Sequence, residues 1–188
     1  MARRVLGIDP GLTRCGLAVV EVASNRKLKF VGVQTVHTSP KDELPQRLSQ
    51  IADVIEAEIN EHKPDLIALE RVFAQANLRS VMGVAQISGV VLYLSARHGL
   101  PIQFHTPSEV KAAVTGNGRA NKEQVGTMVA KLLGLSEIPK PADSADALAI
   151  AITAGWRPEQ SDSTKDSESL TKAQLAWSSA LRASKKSR

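Results

Sequence analysis

Cysteine is almost absent from this chain: Cys15 is the only one among 188 residues. A single cysteine excludes a disulfide within the chain and any zinc site built from several cysteines, and it is typical of proteins of the reducing cytosol. Aromatic residues are also scarce, with two tryptophans, one tyrosine and three phenylalanines. An exposed aromatic beside a functional motif would therefore favour a binding role.

The chain also lacks a long apolar segment at its N-terminus, where Asp9-Pro10-Gly11 interrupts the first apolar run. We therefore predict no export signal. The segment from Ser80 to Ala96 contains no charged residue and approaches the length of a membrane-spanning helix. Because polar side chains and two glycines lie within it, we predict a buried helix in a cytoplasmic protein without a membrane segment.

Acidic residues are fewer than basic ones, so the net charge is +5 and the pI is about 9.5. A basic protein suits a polyanionic partner. However, more than half of the surplus lies beyond Trp156, so net charge alone identifies no partner. The local distribution is more informative, because Arg71, Arg79 and Arg97 lie in a stretch that has no acidic residue until Glu109.

Apolar runs separated by turn residues predict three antiparallel strands, at Arg4–Ile8, Cys15–Val22 and Leu28–Val36. Short apolar runs at Leu66–Leu69 and Ile102–His105 predict two more strands, which alternate with helices. The predicted fold class is α/β, with a mixed five-stranded sheet and helices on both faces.

Helical spacing predicts helices at four places and a shorter helix that contains Lys111. The four longer helices begin at Pro45, Leu78, Lys122 and Ala142. After Trp156 the chain becomes rich in serine and charged residues and ends in a basic tip, which is typical of disorder. We therefore predict one globular domain, residues 1–156, and a mostly disordered tail, residues 157–188.

Two acidic residues end predicted strands. Asp9 directly follows the apolar run Leu6-Gly7-Ile8, and Glu70 directly follows Leu66–Leu69. A charge beside such runs is unfavourable unless it is paired or bound to a metal. Because neighbouring strands that end together place their last residues at one edge, we expect both carboxylates where α/β sheets usually bind ligands.

Two further acidic residues, Asp143 and Asp146, lie three positions apart near the start of the last apolar helix. This spacing puts both side chains on one face of the helix. Grouped carboxylates repel one another and raise one another's pKa, a cost that a hard cation removes. Carboxylates and water suit Mg²⁺ or Mn²⁺, whereas zinc prefers His or Cys. Four carboxylates with two such ions predict two-metal phosphodiester hydrolysis.

Each carboxylate also has a purely structural interpretation. Asp143 is favoured at a helix N-terminus by the helix dipole, and Asp9 can stabilise the Pro-Gly turn. Glu70 can form an ion pair with Arg71 or Arg79. A common edge of the sheet favours a metal site over separate explanations for each residue.

The segments that carry these acids closely resemble the RuvC family of Holliday-junction resolvases, in the ribonuclease-H-like superfamily. The matching segments are Gly7–Gly11, Leu69–Phe73 and Ala142–Ala151, together with the stretch from Pro107 to Lys122. The similarity covers about residues 3–155. It implies a ribonuclease-H-like fold and a DNA endonuclease that resolves Holliday junctions by paired symmetric nicks, in recombination and DNA repair.

By this resemblance Asp9, Glu70, Asp143 and Asp146 are the catalytic set, which holds two Mg²⁺ ions per active site, with Mn²⁺ able to substitute. The family also implies a homodimer that binds a four-way junction and works with the RuvA–RuvB branch-migration complex. A two-fold dimer matches the approximate two-fold symmetry of a junction. The helix from Leu78 to His98 is apolar on so many faces that we place it at or near the subunit interface, the alternative being burial within the monomer.

The resemblance assigns Lys111 and Lys122 to phosphate contacts that support catalysis, and Phe73 to stacking on a base at the junction centre. From the residues alone, Lys111 is equally an ordinary solvated lysine, Lys122 can merely follow a helix cap, and Phe73 can pack under its loop. We also expect DNA contacts from nearby arginines, namely Arg71, Arg79 and Arg119.

Other functions remain open from the residues. The segment Gly7–Gly16 also suits the phosphate-binding turn of an actin-like ATPase, although such proteins need two related domains. A non-catalytic DNA-binding module and an RNA-processing nuclease of the same superfamily are further alternatives. His105 at a strand end is a candidate general base, although a structural histidine with satisfied hydrogen bonds is the more ordinary interpretation.

Overall fold

Five strands and five helices make up the part of the chain described by the structure, a computed structural model. It describes residues 2–71 and 78–157. For residues 78–80 it describes the backbone but not the side chains. The elements follow one another as β1 (Arg3–Asp9), β2 (Arg14–Val22), β3 (Leu28–His37), α1 (Leu44–His62), β4 (Leu66–Glu70), α2 (Leu78–Arg97), β5 (Ile102–His105), α3 (Pro107–Thr115), α4 (Lys122–Leu133) and α5 (Ala142–Trp156).

All five strands form one mixed sheet in the order β3-β2-β1-β4-β5. β2 pairs antiparallel with both β1 and β3, whereas β1, β4 and β5 run parallel. Ile8 of β1 pairs with Leu69 of β4. Asp9 and Glu70 are the next residues along these strands, so the predicted common edge is confirmed.

Helices cover both faces of the sheet, as predicted. On one face α3, α4 and α5 bury a core in which α5 supplies the alanine-rich surface Ala147–Ala154. On the other face α1 and α2 pack through Ile51, Ile55 and Ile87 against alternate residues of the strands. A fully buried Leu or Ile stabilises the fold by about 1.5–3 kcal/mol, so these two cores hold the sheet between two rigid helical layers.

Glycines in β1 and β2 let α5 lie unusually close to the sheet. A Cβ on Gly7 would overlap the backbone of Ala147, and a Cβ on Gly16 would overlap the carbonyl group of Asp143. Glycine within a strand often marks such a close approach of another backbone. The contact at Gly16 holds the first turn of α5 directly over the edge of the sheet where β1 ends.

Helix caps fix the positions of the two predicted catalytic lysines. Thr106 caps α3 in a reciprocal arrangement with Glu109, and Asn121 caps α4 in the same way with Gln124. Such capping boxes satisfy backbone N–H groups that a helix start leaves free. Lys122 is therefore the first residue of α4, as the capping interpretation predicts, and its side chain is available for other contacts.

The helix α2 is only partly covered within the described residues. Ile87 and Val91 are buried, but Met82, Leu92 and Tyr93 are exposed on its other side. The described residues therefore leave these three side chains of α2 uncovered, and its place at a subunit interface stays a prediction. Among the described helices, none is long and apolar enough to cross a membrane. The predicted tail lies almost wholly outside the described residues, and the domain boundary at Trp156 stays a prediction.

Candidate active site at the edge of the sheet

Three of the four predicted carboxylates line one cavity of about 240 Å³ at the ends of β1 and β4. These are Asp9, Glu70 and Asp146. Both predicted catalytic lysines line the same cavity, and its remaining wall is apolar, formed by Pro107, Val110 and Val125. Elements from distant parts of the sequence thus bring acidic and basic side chains together in one small space.

Asp143 lies one helical turn before Asp146 but faces a second, neighbouring cavity. Its carboxylate Oδ2 is 3.4 Å from Nε of Arg14, at the start of β2. Asp143 is still close enough to Asp9 to raise the pKa of that residue. The fourth acid is therefore at the margin of the main cavity in this arrangement.

Burial and mutual repulsion make Asp9 difficult to ionise. Its pKa rises from 3.8 to about 7, first because burial disfavours the charged form and then because Asp146, Glu70 and Asp143 repel it. The pKa of Glu70 is also raised, by burial and by Asp146. A carboxylate site with raised pKa values in a cleft is a typical functional-site signature.

Lys122 partly offsets this negative charge. Its Nζ donates a hydrogen bond to Oδ2 of Asp146 at 2.8 Å. This bond raises the pKa of Lys122, so the lysine is cationic, and it lowers the pKa of Asp9 and Glu70 in turn. Lys111, half-buried on α3, also lowers the pKa of Glu70.

The four acids do not form a tight cage in this arrangement. Within residues 2–71 and 78–157, only Glu58, Glu61 and His62 offer three ligand atoms that all lie within 4.8 Å of one another. That group lies at the end of α1, where Gln34 donates a hydrogen bond to Glu58 and His62 contacts it at 3.5 Å. The predicted catalytic acids lie farther apart than this, and two of them form ion pairs, Asp143 with Arg14 and Asp146 with Lys122.

The donor set nevertheless fits a hard divalent cation. The cavity presents carboxylate oxygens from three residues and no sulfur or imidazole, which is the chemistry that Mg²⁺ and Mn²⁺ prefer. Burial and three neighbouring carboxylates raise the pKa of Asp9, whereas Lys122 lowers it. A cation at this point would relieve the repulsion between the carboxylates.

The other predicted DNA contacts have different placements. Arg71 is exposed, and its guanidinium lies 6.0 Å from the ring centre of Phe104. Arg119 is exposed and does not line the cavity. Phe73 and the side chain of Arg79 lie outside the described residues.

His105 is fully buried, and neither ring nitrogen has a hydrogen-bond partner within the described part of the chain. Burial, with a smaller contribution from Arg157, lowers its pKa to about 4. His105 does not line the acidic cavity. A structural role is thus favoured over that of a general base, but the expected satisfied hydrogen bonds are absent among the described residues.

Sequence reasoning missed two features of this site. It did not single out Arg14, whose partner Asp143 is distant in sequence, so no periodicity connects them. It did not use Gly16, although a glycine inside an apolar strand indicates a close backbone approach. The identity of the approaching helix was visible only in the structure.

Sequence comparison decides the family. A family model described as crossover junction endodeoxyribonuclease RuvC matches residues 5–154. The chain belongs to the RuvC family. The matched range contains all the acidic motifs, both catalytic-lysine candidates and every element from β2 to α4.

Close RuvC relatives support the same conclusion. The crossover junction endodeoxyribonuclease RuvC of Clavibacter michiganensis subsp. michiganensis is 61% identical over 154 residues, which is 82% of this chain and 76% of the relative. The protein of the same name from Paenarthrobacter aurescens is 52% identical over 181 residues, covering 96% of each chain. The similarity to this second relative therefore extends past Trp156, the end of the resemblance expected from the motifs.

Solved RuvC structures share the fold. Thermus thermophilus RuvC superposes with a TM-score of 0.75 at 36% identity, covering 81% of this chain and 94% of that one. The T. thermophilus RuvC in complex with a Holliday junction substrate superposes with a TM-score of 0.76 at 36% identity, covering 80% and 92%. The predicted ribonuclease-H-like fold is confirmed by this similarity.

Proposed function

We propose that this chain is a structure-selective DNA endonuclease that resolves Holliday junctions by paired symmetric nicks. The observation that carries the proposal is one cavity that unites Asp9, Glu70 and Asp146 with Lys111 and Lys122, in a chain of the RuvC family. Acidic residues hold the cations of such an enzyme, and lysines neutralise the phosphate that approaches them.

In the proposed reaction, Asp9, Glu70, Asp143 and Asp146 would hold two Mg²⁺ ions, and the chemistry that these ions would supply is activation of a water molecule and stabilisation of the leaving oxygen. Lys122 and Lys111 line the same cavity as these acids and neutralise the scissile phosphate. The apolar side chains of Val110 and Val125 narrow the site, so the phosphodiester excludes bulk water when it binds. Exclusion of bulk water strengthens the charge interactions in the cavity.

The acidic edge also supports a requirement for a cation in productive DNA binding. Carboxylates alone repel the phosphate backbone, so a non-catalytic DNA-binding module would gain nothing from them. The family match favours the junction nuclease over an ATPase or an RNA-processing enzyme. We therefore retain DNA hydrolysis as the proposed activity.

A panel of three substrates tests this proposal. The protein is incubated with a synthetic four-way junction, a linear DNA duplex and an RNA–DNA hybrid, each with Mg²⁺ or with EDTA. The proposal predicts Mg²⁺-dependent nicks at symmetric positions on two strands of the junction and little cutting of the others. Equal cutting of all three substrates would contradict structure selectivity, and cutting in EDTA would contradict the cation requirement.

The exposed side of α2 supports a homodimer. Met82 is 59% exposed, Leu92 43% and Tyr93 63%, and these positions share one side of the helix with the exposed small residues Ala85 and Gly89. Apolar side chains grouped in this way are typical of interfaces. We infer that two copies of α2 meet there, which orients two active sites for symmetric nicking.

Further partners follow from the same proposal. We expect the dimer to bind four-way junction DNA, with Phe73 stacking on a base at its centre and Arg71, Arg79 and Arg119 contacting the backbone. We also expect it to act with the RuvA–RuvB branch-migration complex in the cytoplasm. Phe73, outside the described residues, is a position where an alanine variant would test base stacking directly.

A further inference from the structure

A second cavity, of about 610 Å³, is lined by Asp143, the fourth acid of the predicted catalytic set. Asp143 lies at its boundary, and the loop between β1 and β2 forms much of its wall. Two arginines, Arg14 and Arg47, line it as well. The predicted catalytic acids thus share their cavities with two pairs of cations, Lys111 and Lys122 in the first cavity and these arginines in the second.

Arg47 carries a positive charge that no carboxylate offsets within the described residues. Its guanidinium donates hydrogen bonds to neutral oxygens only, at 2.9 Å to Oγ1 of Thr38, 3.0 Å to Oγ1 of Thr13 and 3.2 Å to the carbonyl of Leu12. The side chain is half-buried. A partly buried cation without a counter-charge favours an anion in the adjoining space.

The guanidinium of Arg14 has hydrogen-bond donors that are not used within the described residues. Only its Nε faces Asp143, at 3.4 Å, and its side chain is 59% exposed. Neither terminal nitrogen donates a hydrogen bond within the part of the chain that the structure describes. A guanidinium in this position can bridge the carboxylate and a phosphate, because its planar fork presents donors in several directions.

We propose that this cavity binds a backbone phosphate of the DNA strand being cut, next to the scissile phosphate, through Arg14 and Arg47. The inference rests on the proposed nuclease function and adds a subsite to it. Arg47 is the fixed part of the subsite, since three oxygens hold it in place. Arg14 is the adjustable part, and it also shields the incoming phosphate from Asp143.

A DNA strand fits this cavity better than a free nucleotide does. Asp143 lines this cavity and Asp146 lines the active-site cavity, and the two residues are three positions apart on α5, about 4.5 Å along the helix axis. A single strand that crosses the carboxylates would therefore pass from the lysines to the arginines. The subsite reads charge rather than base identity, so it contributes affinity and register but no sequence preference.

The test measures junction binding by fluorescence anisotropy over a range of salt concentrations, with Ca²⁺ in place of Mg²⁺ and the DNA checked for cleavage. The variants are Arg14→Gln and Arg14→Lys. Arg26→Gln is the matched control, because Arg26 is also exposed and follows the opposite end of β2. Thermal unfolding verifies that all variants keep the fold.

For a dimer, Arg14→Gln should reduce the slope of log K against log salt by about two, or about one per protomer. Arg14→Lys should keep the wild-type slope, and Arg26→Gln should leave both slope and affinity unchanged. A loss of affinity in Arg14→Gln without a change in slope would overturn the proposal, as would wild-type behaviour of that variant.

A second measurement locates the phosphate. Neutral methylphosphonates replace single phosphates along the strand around the cut. We expect one position, next to the scissile phosphate, to weaken binding by wild type but not by Arg14→Gln. If the substitution at every position weakens junction binding by wild type and by Arg14→Gln equally, the subsite does not exist. A wild-type protein that neither binds nor cuts junctions would instead contradict the proposed function itself.

Discussion

Gly16 of β2 lies directly beneath the carbonyl group of Asp143, so closely that a Cβ at this position would overlap it. This contact sets the height of the first turn of α5 above the sheet. Because Gly16 has no side chain, the first turn of α5 can approach the sheet closely enough to place Asp143 and Asp146 near Asp9. The geometry of the acidic site is therefore sensitive to a residue that carries no functional group.

Substitution of Gly16 by alanine tests this dependence. The added methyl group must displace the start of α5, and overpacking of this kind typically costs about 1–3 kcal/mol. We expect a lower unfolding midpoint and a loss of junction cleavage that is larger than the loss of stability explains. Gly32→Ala is the matched control, because a Cβ there meets only the ring of His62, at 3.7 Å. Equal activity of the two variants at a temperature where both are folded would contradict the account.

Lys122 should matter for chemistry more than for binding. Lys122→Gln takes away the cation that holds Asp146 and that we propose neutralises the scissile phosphate. We expect the rate of cleavage to fall on the order of 100-fold, with a much smaller change in junction affinity. Lys131→Gln, on an exposed part of the same helix, should keep the wild-type rate. Single-turnover cleavage at saturating protein separates the two effects.

Stability should depend on pH through Glu109. Hydrogen bonds from Thr106 and Arg157 lower the pKa of Glu109 to about 2, below its usual 4.5. A lowered pKa in the folded state stabilises the protein above pH 4.5, and this stabilisation is lost as the pH falls toward 2. Glu109→Gln keeps the capping geometry but not the charge, so it should be less stable than wild type at pH 7.

The difference between the two proteins should shrink steadily between pH 4.5 and 2, as measured by urea unfolding. Because Glu109 is exposed, solvent screening keeps the difference small. A gap that stays constant across this range would show that Glu109 contributes through shape rather than charge.

The exposed side of α2 supports a prediction about assembly. A carboxylate in place of Leu92 or Tyr93 would be buried without a partner in an interface built from α2, so Leu92→Asp and Tyr93→Asp should yield monomers. Leu44→Asp is the control, since Leu44 is also exposed but lies at the start of α1. Sedimentation velocity at micromolar concentration gives the readout. A dimer that persists in both α2 variants would place the interface elsewhere.

The sequence was sufficient for the elements and for the shared edge of Asp9 and Glu70. β5 and α4 have the predicted bounds, because each is an apolar or amphipathic segment between strong turn signals. The other strands extend one residue or less beyond their predicted ends. Local periodicity decides such features, so tertiary contacts were not needed to predict them.

Contacts between residues distant in the chain could not be predicted from the sequence. The ion pairs of Asp143 with Arg14 and of Asp146 with Lys122 depend on how α5 lies over the sheet. The same packing distributes the four acids between two cavities. The types of residue in the sequence had suggested a single cluster. The uncovered side of α2 also required the structure, since its composition shows only that it is apolar.

The most direct test of the account compares cutting and binding in Asp9→Asn. This variant keeps the size of the side chain but removes the most strongly perturbed carboxylate of the cavity. Cleavage of a four-way junction in Mg²⁺ and junction affinity are measured on the same preparation. The account predicts that cutting is abolished while junction binding remains within a few-fold of wild type. Wild-type cutting by Asp9→Asn would contradict the assignment of this acidic edge as the active site.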